Sequence, residues 1–216
     1  MSSDSDEDDV PQLSAHALAA LQEFYAEQTA IANEDEEEVA AKVGGIQEDW
    51  QLSQFWYDDD TASVLANEAI TAAGVNGRIA CISTPTLFQK LRQINSSCSA
   101  IIFEYDKRFE VYGDHFVFYD FNKPLELPEH IKAHSFDIVI GDPPFLTDDC
   151  LEPFSQTMKL LAKDKMILCT GAVMEASVKK LLDLEICNFQ PKHAKNLANE
   201  FRCFANYTTT YLNNDR

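Results

Sequence analysis

The chain has 216 residues, 45% hydrophobic and 11% aromatic, which is enough to bury the core of one ordinary domain and too little for two large ones. Its 36 acidic residues against 17 Lys and Arg give a formal net charge of −19. That balance argues against a broad phosphate-binding surface and for a basic partner. No CxxC or Cys/His ligand spacing links the six cysteines, so no metal is expected. Free thiols, the absence of an apolar leader in Met1 to Asp9 and the absence of any span-length apolar run predict a soluble, cytoplasmic protein with no membrane partner.

In chain order, residues 1–10 read as a charged tail. Ser14 caps a predicted helix running to about Gln28, and Glu34–Glu38 followed by Gly44 and Gly45 reads as an acidic linker. The expected organisation is therefore a tail at 1–10, an N-terminal helix and linker at 11–49, and a main domain at 50–216. Residues 1–42 hold 12 acids and one base, yet the remainder still has 24 acids against 16 bases. Gln54-Phe55-Trp56-Tyr57 forms an aromatic cluster, followed by a predicted helix over Thr61–Ala73. Strands over Arg78–Ser83, Ala100–Tyr105, Phe116–Tyr119, Phe136–Gly141 and Met166–Thr170 then alternate with helices over Thr86–Ile94, Leu151–Leu161 and Glu175–Leu182. Ile186–Gln190 and Phe201–Tyr207 read as a closing antiparallel edge. This alternation predicts an α/β fold with a doubly wound, mostly parallel sheet and an antiparallel edge strand. Ligands of such sheets bind beyond the carboxyl ends of the strands.

Asp142-Pro143-Pro144-Phe145 follows the apolar run Phe136–Gly141. Two prolines cannot continue a central strand, so they hold a stiff loop beyond its end. Asp142 supplies an acceptor and Phe145 an apolar face. Together they form a cluster able to orient an amine for attack on carbon. Two acids, Glu104 and Asp106, end the second strand. A carboxylate there can accept from both hydroxyls of a ribose. Asp120 ends the third strand, with Phe121 beside it. The five histidines have no spaced partners and read as polar surface.

The Asp142–Phe145 quartet resembles the D/N-P-P-F/Y/W motif of methyltransferases that use S-adenosyl-L-methionine to modify amino groups. Pro11–Ser14, Ser53–Tyr57, Phe103–Phe109, Ser135–Phe145 and Asn196–Cys203 resemble the translation elongation factor 1-alpha lysine methyltransferase 1 family, formerly labelled N-6 adenine-specific DNA methyltransferases. The resemblance implies a Rossmann-like methyltransferase fold. It also implies a protein-lysine N-methyltransferase acting as a monomer on elongation factor 1-alpha, with an adenine N6-methyltransferase as the alternative. By the same resemblance, Asp142, Pro143, Pro144 and Phe145 are catalytic. Phe55, Trp56 and Tyr57 pack on the cofactor. Glu104, ahead of Asp106, takes the ribose, Asp120 takes the adenine amino group, and Phe121 lies on the adenine ring or in the core. The family's glycine-rich first turn is replaced by Ile82-Ser83-Thr84-Pro85-Thr86. Ser83 and Thr84 are read as cofactor ligands there, Thr84 equally as a helix cap. A net negative charge even without the tail favours protein over nucleic acid as the acceptor.

Overall fold

Asp58 opens the first helix, α1 (Asp59–Ala73), by accepting from the Thr61 N–H at 2.8 Å. Asp59 and Asp60 add negative charge to its first turn, where the helix dipole favours it. Gly74, at φ 74°, ends the helix in a conformation few other residues adopt. The computed structural model describes residues 45–95, 99–195 and 197–213, with Trp50 described by its backbone alone. The tail expected at 1–10 lies outside the described residues, as do the helix and acidic linker expected before residue 45, and Asn196.

After α1 come β1 (Arg78–Ile82), α2 (Pro85–Ile94), β2 (Ser99–Glu104), β3 (Phe116–Phe118) and β4 (Phe136–Gly141). Then follow α3 (Asp148–Leu161), β5 (Ala162–Gly171), α4 (Glu175–Leu182), β6 (Glu185–Ile186) and β7 (Phe201–Ala205). The strands form one seven-stranded sheet in the order β3-β2-β1-β4-β5-β7-β6. All pairs up to β5 are parallel, and β7 is antiparallel to both β5 and β6. The fold is thus the expected Rossmann-like α/β sheet with an antiparallel edge.

Alternation along the central strand divides the core. Ile79 and Cys81 of β1 pack with Leu65 of α1 and with Leu87 and Phe88 of α2. Ala80 and Ile82 face the other way, toward Leu151 and Phe154 of α3 and Val178 of α4. Both faces of the parallel strands are covered, which is why β4 reads as a nearly unbroken apolar run. Gly141 closes that run because α3 crosses there. A Cβ on Gly141 would lie 2.6 Å from the Phe154 ring.

Two local expectations differ from the structure. β6 spans only Glu185–Ile186, because Asn188 and Phe189 turn to bond with Asn213 and Leu212 instead of continuing along β7. A 3-10 segment, Lys107–His115, fills the connection from β2 to β3 where no helix is expected. Asp106 caps it, accepting from the Arg108 N–H, and Gly113 kinks it at φ 55°.

Candidate active site

Strand order reverses between β1 and β4, both of which pair with each other in parallel. Their carboxyl ends therefore carry loops that leave the sheet in opposite directions and open a crevice between them. Ser83 follows β1 with φ 54°, a left-handed conformation that costs an L-residue roughly 1–2 kcal/mol. It makes the turn a glycine would make, and its N–H donates to the Phe103 carbonyl at 2.9 Å. Pro85 then occupies the first turn of α2, where its missing N–H costs nothing. Thr84 stands at the cap position without a side-chain capping bond, and its buried Oγ1 finds no partner among the described residues. On the far side of the crevice, the Asp142 N–H donates to the Ile82 carbonyl at 3.1 Å, extending the β1–β4 pairing by one bond into the motif.

The crevice holds a cavity of about 300 Å³. Of the residues singled out from the sequence, Phe55, Trp56, Ser83, Glu104, Phe121 and the whole Asp142–Phe145 quartet line it. Phe121 and Phe145 meet edge to face at its rim, with ring centres 5.9 Å apart. Thr84, Tyr57, Asp106 and Asp120 stand outside its wall. Tyr57 is buried behind Asp142 and donates its phenol proton to Oδ2 at 2.6 Å. Asp106 binds Gln54 Nε2 at 3.0 Å and forms an ion pair with Arg108, which ties the 3-10 segment to the aromatic cluster. Asp120 accepts from the N–H and side-chain amide of Asn122.

The two carboxyls in the wall are strongly perturbed. Burial raises Glu104 to about 7, although the N–H groups of Tyr105 and Asp106 donate to its Oε1. Burial likewise raises Asp142 to about 7, opposed by the hydrogen bond from Tyr57. Asp106 behaves differently. Burial acts against its charge, but the bonds from Arg108 and Gln54 prevail and hold its carboxyl below the usual range. Tyr57 is pushed well above an ordinary phenol by burial and by the Asp142 charge, so it remains a donor.

The sequence reading missed the third wall. His193 and Leu197, from the segment between β6 and β7, and Phe201, the first residue of β7, line the cavity beside Trp56. His193 pairs in a short bridge with Tyr57, and its ring lies 5.3 Å from the Tyr57 ring and 4.5 Å from that of Phe201. Burial lowers its imidazole to about 4, against the pull of Asp58, so it is neutral at physiological pH. Its neighbours Lys192 and Lys195 gave it the look of a surface histidine. The one available signal was the resemblance over Asn196–Cys203, to which no role was attached.

Among the described residues no group of three or more His, Cys, Asp or Glu could hold a metal ion. No helix among the described residues is long and apolar enough to cross a membrane.

Comparison with known proteins gives the chain a family context. Residues 48–209 match the family model described as "Probable N6-adenine methyltransferase". The chain is 57% identical to EEF1A lysine methyltransferase 1 of Gallus gallus over 209 residues, covering 95% of this chain and 98% of that protein. It is 39% identical to the protein-lysine N-methyltransferase EFM5 of Saccharomyces cerevisiae over 227 residues, covering 90% and 91%. Among solved structures, a branched-chain polyamine synthase mutein of Thermus thermophilus superposes with a TM-score of 0.54 at 13% identity. That match covers 84% of this chain and 67% of the synthase, and it bears on the fold alone.

Proposed function

The chain belongs to the EEF1A lysine methyltransferase 1 family, and on that premise we propose that it transfers a methyl group from S-adenosyl-L-methionine to a lysine of EEF1A. The observation that carries the reading is Asp142: a desolvated carboxyl beside two prolines, aimed into the cavity that also holds Glu104.

The residues present fit S-adenosyl-L-methionine. Glu104 has one oxygen engaged by backbone N–H groups and keeps acceptor capacity for a ribose diol. Hydroxyl donors would relieve the burial that now raises its pKa. Phe121 and Phe145, meeting edge to face, offer apolar ring surface at the rim. The N-terminus of α2, whose Pro85 lines the cavity, suits an amino-acid carboxylate. Trp56, buried against the cavity, presents an aromatic wall to a cation. When bound, the cofactor supplies a methyl already activated on a sulfonium, so the protein's task is position, desolvation and the handling of one proton.

That proton is the difficulty with lysine, whose ammonium titrates near 10.4 in water and must be neutral to attack. Burial in the cavity lowers the ammonium and has already raised Asp142 to about 7. The two values converge, and Asp142 can first hold the ammonium and then accept its proton. The amine's lone pair would form the N–C bond as the methyl's bond to the cofactor sulfur breaks and sulfur keeps that electron pair, while the proton given up beforehand stays on the Asp142 carboxyl or passes to water. Tyr57 keeps the Asp142 oxygen oriented throughout.

An adenine amine is the second reading, favoured by the family model's description. The charge opposes it, since 17 cations face 36 anions and each phosphate contact requires a cation. The same acidity suits capture of a basic protein. The reading carries a monomeric, cytoplasmic enzyme with no nucleic-acid or membrane partner. The test offers labelled cofactor to the purified protein with EEF1A and, separately, with adenine-containing oligonucleotides. Label on EEF1A alone is expected; label on the oligonucleotide alone would promote the second reading.

A further inference from the structure

Two walls of the cavity come from irregular backbone far apart in the chain: residues 52–56, which end in Trp56, and the segment that carries His193. One carboxylate outside the cavity touches both. The Glu48 side chain is only 4% exposed, and each of its oxygens serves a different segment. Oε1 accepts from the Trp56 N–H at 2.7 Å, and Oε2 pairs with the Lys195 ammonium at 3.3 Å. The Trp56 carbonyl accepts in turn from the Ala194 N–H at 2.8 Å. The contacts close a ring, from Glu48 to Trp56 to Ala194, along the chain to Lys195 and back to Glu48. At the other side of the same wall, Gln54 Nε2 donates to Asp106 at 3.0 Å, and Gln54 Oε1 accepts from the Asp49 N–H at 2.9 Å. Residues 48–56 are thus anchored toward β2 by Gln54 and toward the third wall by Glu48.

We infer that Glu48 is a positioning residue for the cofactor site: its two oxygens hold Trp56 and the segment at residues 193–195 in one fixed arrangement, so that S-adenosyl-L-methionine meets an assembled wall. The inference rests on the reading of this cavity as the cofactor site and adds the group that builds it. Neither Glu48 nor Lys195 lines the cavity, so both act through Trp56 and the third wall. Outside the sheet no ladder fixes Trp56, and its backbone N–H and carbonyl depend on the two partners named. An enclosed ion pair is a poor way to stabilise a fold, because desolvation offsets most of its attraction. It is a good way to fix geometry, and only a carboxylate accepts at both ends. An amide of the same size accepts at one end and donates at the other. A wall assembled before binding saves the cost of ordering it around the ligand, so the contribution of Glu48 falls on affinity. The reacting end is held separately, by the bond from Tyr57 to Asp142.

The test uses Glu48→Gln, which keeps the size of the side chain, and Lys195→Met, at a position whose side chain is 21% exposed. Both single variants and the double variant are made in the full chain. The Kd for S-adenosyl-L-methionine is measured by calorimetry, with circular dichroism and the melting temperature beside it. Each single variant is expected to raise Kd about five- to tenfold, and the double variant by no more than the larger single, because all three lose the same contact. At saturating cofactor and EEF1A, kcat should stay within about twofold of the parent. A purely structural pair would lower the melting temperature and leave the Kd of the folded protein where it was. Single variants that bind within about twofold of the parent would therefore overturn the inference. Losses that multiply in the double variant, or a fall in kcat with Kd unchanged, would overturn it as well. Should Glu48→Gln fail to fold, Lys195→Met decides alone. If the parent binds no S-adenosyl-L-methionine, the cofactor reading fails and the role of Glu48 fails with it.

Discussion

The carboxyl end of β2 and the carboxyl end of β4 carry the same chemistry and put it to different use. Each presents one carboxyl to a single cavity, Glu104 buried and Asp142 half-buried, and desolvation raises both to about 7. Around Glu104 the partners are backbone N–H groups and the Gln54 amide, none of which exchanges a proton. Around Asp142 the partner is a phenol, while the prolines that follow contribute no N–H. A carboxyl held by backbone donors is suited to holding a neutral diol. One held by a single movable hydroxyl is suited to taking up and releasing a proton. The proposed division into a binding end and a reacting end therefore rests on the second partner of each acid and not on its pKa.

Substitution at the reacting end should have the largest effect. Asp142→Ala is expected to lower kcat by at least 100-fold while the Kd for S-adenosyl-L-methionine changes less than about threefold. Steady-state kinetics beside calorimetry checks this. Equal losses in both quantities would erase the proposed distinction between the two strand ends.

Glu104→Gln should show the converse. Loss of charge-assisted bonds to a diol costs about 1.5–3 kcal/mol, so cofactor Kd should rise roughly 10- to 100-fold. The same variant sharpens the pH argument. The folded pKa of Glu104 lies above its ordinary value of 4.5, so ionisation is disfavoured in the folded state. Below about 4.5 the group is protonated folded or unfolded and costs nothing. As pH rises through about 7 it imposes its full penalty. The cofactor-free protein should therefore lose stability between pH 5 and 8, and Glu104→Gln should flatten that loss in thermal melts. Cofactor affinity of the parent should move the other way, weakening about tenfold from pH 8 to pH 6.

Tyr57→Phe probes the phenol with little change in packing. Its hydrogen bond lowers Asp142, so removing it raises that carboxyl further. The acid limb of the kcat profile should move about one unit toward higher pH. An unmoved limb would make Tyr57 a purely structural residue. The smallest effect is expected away from both carboxyls. Ser83→Gly relieves the positive φ at the end of β1, and after the added chain entropy of glycine it should stabilise the fold by about 0.5 kcal/mol. The melting temperature reads this directly.

The two strand ends were legible in the sequence for local reasons. Apolar runs ending in Glu104 and in Gly141-Asp142 mark both the strand and the group it delivers, and the order of strands places those groups near the sheet's reversal. What stayed hidden is nonlocal. An aromatic cluster reads alike whether its rings face a ligand or the core, and so its spacing does not separate Trp56, which lines the cavity, from Tyr57, which donates to Asp142 from outside it. Asp106 follows Glu104 so closely that sequence could only rank the two. Arg108 pairs with the second, and the first lines the cavity. His193 is concealed by its lysine neighbours. Its burial comes from pairing with Tyr57, far away in the chain, and no periodicity reports that. The predicted strand over Ile186–Gln190 overran because Phe189 is as apolar as a strand residue while its backbone bonds to Leu212.

The central claim is that a protein amine is methylated at Asp142, and site-resolved mass spectrometry of EEF1A tests it most directly. Purified EEF1A is incubated with S-adenosyl-L-methionine and either the parent protein or Asp142→Asn, which keeps the shape of the side chain but cannot take up the proton. The account predicts methyl increments on a defined EEF1A lysine with the parent and a loss of at least 100-fold in rate with the variant. An unmodified EEF1A with the parent, or undiminished methylation with Asp142→Asn, would contradict it.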